Sequence, residues 1–208
     1  MTTKQPATLL IHPERAVPGG FRSLVPGTER ASTVLFENID KWKNRSGFDE
    51  SIYTYGTSGT PTTRDLQNRL AEWEGGFATV LFPSGLAAVA YAFLPFVAPG
   101  DHVLIPANVY DPVKTLANGL LKRMNVTVEQ YDPLVGAGIA AQIKPNTRLV
   151  WVETPGSITM EVSDLPAIAA AAHAAGALVA IDNTYSAGWY LRAFELGADI
   201  SVHALTKY

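Results

Sequence analysis

The stretch ALVAIDNTYSAG, residues 177–188, decides the fold. Five apolar residues, Ala177 to Ile181, run without the polar alternation of a half-exposed strand, so both faces of this strand need cover. Asp182 follows at once. A carboxylate closing a buried strand is costly unless it meets a cation or strong donors, or caps its own loop through the backbone. Immediately upstream, DLPAIAAAAHAAG (164–176) reads as a helix, with Ser163 or Asp164 as its N-cap and Gly176 at its end.

The same grammar recurs on either side. Short apolar runs lie at ATVLF (78–82), HVLIP (102–106), VTVEQY (126–131), RLVWVE (148–153) and ADISVHAL (198–205), with helical segments between them. Strands apolar on both faces and separated by helices predict an α/β fold, a mostly parallel sheet sandwiched by helices. In such sheets ligands bind beyond the carboxyl ends of the strands. The longest apolar run, LAAVAYAFLPFVA (86–98), is too short to span a bilayer and contains Pro95, so it predicts a buried helix kinked or ended near Leu94.

Residues 1–59 scatter Pro, Gly, Ser and Thr among isolated hydrophobics, and predict an extended arm with one short helix around Thr33 to Lys41. After Pro61 the pattern changes. TTRDLQNRLAEWEGG (62–76) places Leu66, Leu70 and Trp73 on one helical face and ends in a glycine pair, so a globular domain is expected over 60–208.

Composition narrows the function. The 208 residues are 47% apolar with a net charge of -3 and no long run of like charge, which argues against nucleic acid or a polybasic membrane contact. Without cysteine there are no disulfides, thiolate metal sites or thiol nucleophiles. His12, His102, His173 and His203 lack ligand spacing, so no metal is expected. The first residues lack an export h-region, and a cytoplasmic protein is expected.

Several side chains could carry chemistry at one edge of the sheet. In TVLFPSGLAAVAYAF (79–93) a strand, a Pro-Ser-Gly turn and a helix beginning near Gly85 would leave backbone N–H groups aimed at an anion, although an ordinary βα turn reads the same way. The glycine fingerprints of dinucleotide and triphosphate sites are absent. Tyr110 follows HVLIP and Glu153 ends RLVWVE. Asp182 and Lys207 lie 207 − 182 = 25 residues apart, about one strand-crossover-strand unit, so both could reach one crevice or simply pair as ions. A helix terminus for phosphate, a flat ring, a carboxylate and an amine are the parts that pyridoxal phosphate requires.

YGTSGTPTT (55–63), FPSGLAAV (82–89), YDP (110–112), ETPGSITMEV (153–162), IDNTYSAG (181–188) and ALTKY (204–208), in this order, resemble the Cys/Met metabolism family of fold type I pyridoxal-phosphate enzymes. The resemblance implies pyridoxal 5′-phosphate as cofactor, with Lys207 as the amine that joins it, Asp182 at the pyridine nitrogen and Tyr110 stacked on the ring. It further implies backbone N–H groups of Gly85 and Leu86 and the hydroxyl of Thr206 at the phosphate, and Tyr55 lent to a neighbouring subunit's site. The arm would then make subunit contacts in a homo-oligomer, expected as a dimer of dimers. A small C-terminal domain and the arginine for the substrate carboxylate are expected beyond residue 208.

GSITME (156–161) resembles the branch that eliminates at the β-carbon, which implies a carbon-sulfur lyase acting on L-cystathionine in methionine biosynthesis. Other reactions on the scaffold, γ-elimination, γ-synthesis or sulfhydrylation, and a non-catalytic binding relative stay open. Two positions depart from the pattern. Thr57 stands where relatives commonly carry a phosphate-gripping arginine, so a charge-assisted contact becomes a neutral one, roughly half as strong. Ala204 stands where many relatives carry serine.

Overall fold

The computed structural model describes residues 26–45 and 52–208; the rest of the expected arm, 1–25 and 46–51, lies outside the described residues. The chain divides into two compact units, one through Asp65 and one from Leu66 to Tyr208.

In the first unit, helix α1 (Ile39–Lys43) begins at Asn38, whose side chain accepts the Lys41 N–H. It is shorter and later than the helix expected over 33–41, because the N-cap that starts it lies at Asn38 and Leu35 is 75% exposed. Thr33 instead forms an antiparallel bridge with Tyr55. Helix α2 (Pro61–Glu74) crosses the division between the units.

The second unit holds a five-stranded parallel sheet in the order β2-β1-β3-β4-β5. Its strands are β1 (His102–Pro106), β2 (Thr127–Tyr131), β3 (Thr147–Glu153), β4 (Leu178–Asp182) and β5 (Ile200–Val202). Helix α3 (Gly85–Phe93) precedes β1, α4 (Asp111–Leu116) follows it, and α5 (Leu165–Ala174) links β3 to β4. α3 ends with Leu94 as C-cap, one residue before Pro95, and Asp164 rather than Ser163 caps α5 by accepting the Ala167 N–H.

Alternate residues of the strands feed two cores. Val103, Ile105, Leu149 and Trp151 pack with Val89 and Phe93 of α3 on one face, where the Phe93 and Trp151 rings stack at 4.9 Å. Leu104, Val150, Val152 and Ile181 pack with Leu165 and Ile168 of α5 on the other. Both faces are thus dry, as the unbroken apolar runs require.

Two expectations are corrected. ATVLF is extended but forms no strand among the described residues, and Val80 is 69% exposed. Apolar pattern alone does not make a strand; a ladder partner is needed. On α2 the stripe Leu66, Leu70, Trp73 does not enter the core, and the buried residue of the helix is the charged Glu74.

Candidate cofactor site

The strand order reverses direction between β1 and β3, which makes their carboxyl ends the switch point where open α/β sheets bind ligands. Glu153 ends β3 there. Its Oε2 accepts the backbone N–H of Tyr110, the residue that opens α4 after β1, at 2.8 Å, and its Oε1 accepts the Ser157 hydroxyl at 2.5 Å. Glu153 is 2% exposed. Burial pushes its carboxyl above the ordinary range; the hydrogen bonds from Ser157 and Tyr110 offset part of this, and the neighbouring Asp182 adds to it. The Tyr110 backbone is therefore anchored while the residue as a whole remains about half exposed.

Asp182 ends β4 in register with Glu153 on one side and Val202 of β5 on the other. Its Oδ1 accepts the Thr184 N–H at 3.0 Å, so it does cap its own loop, through one oxygen. After β5 the chain turns through a short 3-10 helix, Leu205–Lys207, that leaves Thr206 and Lys207 exposed. No ion pair joins Asp182 and Lys207 among the described residues. Asp182 ends β4, and Lys207 lies on the turn that follows its parallel neighbour β5.

At the start of α3, Ser84 Oγ accepts the Ala87 N–H at 3.1 Å and Ser84 O accepts the Ala88 N–H at 3.0 Å. The N–H groups of Gly85 and Leu86 are the ones left over, as the first turn of any helix requires. A side chain at Gly85 would place its Cβ 2.8 Å from Ala204 Cβ, so the helix start and the turn bearing Lys207 touch only because position 85 is glycine. Ser84, Gly85 and Thr206 also line a cavity of about 490 Å³. Phe82, Tyr91 and Phe96 line it too, and it does not include Tyr110, Asp182 or Lys207.

Tyr55 belongs to the first unit, where its hydroxyl accepts from Ser32 Oγ at 3.1 Å. Arg64, in the same unit, donates to Ile52 O at 2.7 Å and lies over the Tyr53 ring.

Behind the Lys207 turn lies a polar cluster that the sequence pattern did not disclose. Glu74 of α2, 6% exposed, faces His203 Nε2 at 2.7 Å and accepts from Ser201 Oγ at 2.9 Å and from Asn183 Nδ2 at 3.2 Å. Burial raises the Glu74 carboxyl, but His203, Ser201 and Asn183 outweigh it and hold the group below its ordinary value. Gly188, at φ +67°, comes so close to this carboxylate that any side chain there would overlap it. The one hint in the sequence is Asn183, a second polar residue straight after the strand.

Comparison with known proteins bears on this edge. The family described as "Cys/Met metabolism PLP-dependent enzyme" matches residues 7–208. The chain belongs to this family. Cystathionine beta-lyase MetC of Escherichia coli is 39% identical over 212 residues, covering 100% of this chain and 53% of its own. A solved structure from Campylobacter jejuni carrying N′-pyridoxyl-lysine-5′-monophosphate superposes with a TM-score of 0.80 at 27% identity, over 90% of this chain and 46% of that one. Cystathionine gamma-lyase of Lactobacillus plantarum, complexed with L-serine, gives a TM-score of 0.74 at 31% identity, over 83% and 43%. The chain spans about half the length of the relatives it matches. The family is pyridoxal-phosphate-dependent and the parallel sheet is that of fold type I. Among the described residues no helix is long and apolar enough to cross a membrane, and no cluster of His, Asp and Glu could hold a metal ion.

Proposed function

We propose that this chain carries the cofactor half of a carbon-sulfur β-lyase that converts L-cystathionine and water to homocysteine, pyruvate and ammonia. The observation that carries the reading is the meeting of the Gly85 helix start with the Ala204–Lys207 turn, beside a sheet edge closed by Asp182 and Glu153. A Cβ at position 85 would fill this cradle, which supports a phosphate seat. The cystathionine beta-lyase name of the 39% identical relative supports the β-elimination reading.

When bound, pyridoxal phosphate supplies an electron sink for the charge left as a Cα–H bond breaks. Lys207 would hold the cofactor and, once freed by the substrate amine, take the α-proton on Nζ as general base. Asp182, with Oδ1 fixed by Thr184, would use Oδ2 to keep a proton on the pyridine nitrogen. Tyr110 would lie against the ring, its position set by Glu153. The N–H groups of Gly85 and Leu86 and the Thr206 hydroxyl would bind the phosphate. Tyr55 would complete a neighbouring subunit's site, with residues 1–59 in the subunit contacts of a dimer of dimers, in the cytoplasm.

The test is the holoenzyme itself. Cofactor fixed covalently to the chain by borohydride in the parent and not in Lys207→Ala, with pyruvate formed from cystathionine, is the expected result; covalent fixation that survives in Lys207→Ala overturns the site. A second reading, γ-elimination, draws on the likeness to the Lactobacillus plantarum gamma-lyase. Release of 2-oxobutyrate instead of pyruvate would favour it.

A further inference from the structure

We propose that Ile158 is a specificity-determining residue: it tips a strained loop after β3 and gives the substrate's thioether arm, beyond the β-carbon, an apolar surface to lie on. This deepens the β-lyase reading and rests on it.

The loop starts after Glu153, the last residue of β3, and closes on itself. The Gly156 N–H donates to Glu161 O at 2.9 Å, the Met160 N–H to Gly156 O at 3.1 Å and the Thr159 N–H to Ser157 O at 2.7 Å. It is also tied to the loop that follows β1. Asn108 Nδ2 donates to Glu161 Oε2 at 2.8 Å, and a side chain at Gly156 would put its Cβ 1.9 Å from that same amide nitrogen. Ser157 and Tyr110 share one carboxylate, the Ser157 hydroxyl on Oε1 of Glu153 and the Tyr110 N–H on Oε2. Ile158 follows Ser157 directly, so it stands at the carboxyl edge of the sheet, beside the loop that carries Tyr110.

Ile158 is unusual on two counts. Its backbone has φ +69°, and Met160, two residues on, has φ +61°. A positive φ drives Cβ against a carbonyl oxygen and a β-branched side chain resists it most, so glycine or asparagine is the residue that suits such a turn. Burying the isoleucine side chain could offset the strain, yet Ile158 is 86% exposed. A lone exposed isoleucine is ordinary. One that the hydrogen bonds of its loop hold in a conformation glycine would adopt freely, with no packing in return, is kept for a contact with something else. Strain of this kind gathers at ligand sites. The surface that Ile158 offers has no charge and no hydrogen-bonding group, which suits the methylenes and thioether sulfur of cystathionine rather than its charged ends.

The cofactor-loaded protein tests this with two substrates: L-cystathionine, and β-chloro-L-alanine, which has the same α- and β-carbons but no arm beyond its leaving atom. Ile158→Asn, a polar residue that accepts positive φ, should raise KM for cystathionine about tenfold with kcat little changed, as when binding is lost equally before and in the transition state. Its kcat/KM for β-chloro-L-alanine should stay within about twofold of the parent's. Ile158→Leu keeps an apolar side chain and should keep the parent's KM. Urea midpoints give a readout independent of turnover: Ile158→Asn should unfold at higher urea than the parent, because strain goes and no packing is lost. A lower midpoint would mean that packing holds the side chain, and overturns the proposal. So does a KM for cystathionine that is unchanged, or raised alike for both substrates, and so does loss of the oligomer, which would make the tip a subunit contact. Should the amide disturb the loop, Ile158→Gly gives the same comparison. A parent that forms no pyruvate from cystathionine overturns the proposed function and this inference with it, whereas an active parent with unchanged KM in its variants overturns this inference alone.

Discussion

Glu153 and Asp182 stand abreast, partners in the β3–β4 register, two carboxylates side by side at the carboxyl edge of one sheet. They differ in what they do. Glu153 is buried and holds Tyr110 and Ser157, whereas Asp182 is half-buried and ties only its own loop.

The raised Glu153 carboxyl gives a pH prediction. Its folded value lies above the unfolded one, so the stability it contributes is full below the ordinary carboxylate range and is lost as pH rises through the raised value. Glu153→Gln can keep both contacts, accepting from Tyr110 and donating to Ser157, without a buried charge beside Asp182. The variant should therefore lose less stability than the parent between acid and neutral pH. Glu153→Ala strands the Tyr110 N–H and should cost about 1–3 kcal/mol. Urea midpoints across pH read both.

Much of this edge was legible in the sequence, because apolar runs ended by single polar residues say where strands stop and what stands at their ends. Asp182, Glu153 and the Gly85 helix start are of that kind. ATVLF failed because strand formation depends on a neighbour, which no local pattern encodes. Glu74 was hidden for a different reason: it sits in a helix whose apolar stripe pointed elsewhere, and its partners Asn183, Ser201 and His203 lie more than 100 positions away along the chain. A buried charge is legible only with its counter-charge in view.

Asp182→Asn tests the proposed pyridine partner. The amide can still accept the Thr184 N–H through its oxygen, so the loop should hold and some cofactor should stay bound. What goes is the negative charge, and turnover should fall by orders of magnitude, on the order of 100-fold or more. Activity near that of the parent removes Asp182 from the role.

Glu74 carries the opposite sign to Glu153. Its folded value is depressed, so its contribution is present above the unfolded carboxylate value and lost as pH falls through the folded one. Glu74→Gln breaks a buried pair and should cost about 3 kcal/mol at neutral pH. The gap to the parent should narrow as pH falls through that depressed value, because the parent's carboxyl then becomes neutral too. A gap that is constant with pH would mean that packing, not charge, sets the loss.

Gly85→Ala separates the cradle from the fold. The new Cβ would lie 2.8 Å from Ala204 Cβ and 3.3 Å from Ala204 Cα, closer than carbon atoms pack, so the start of α3 and the 204–207 turn must part. Alanine is otherwise the better helix former, and position 85 is the first residue of α3. Global stability should thus change by less than about 1 kcal/mol, while the N–H groups proposed for the phosphate move away from Thr206. Cofactor affinity should fall about tenfold or more by equilibrium titration, with the circular dichroism of the sheet and helices intact. Undiminished affinity in a folded variant would place the phosphate elsewhere than at this helix start.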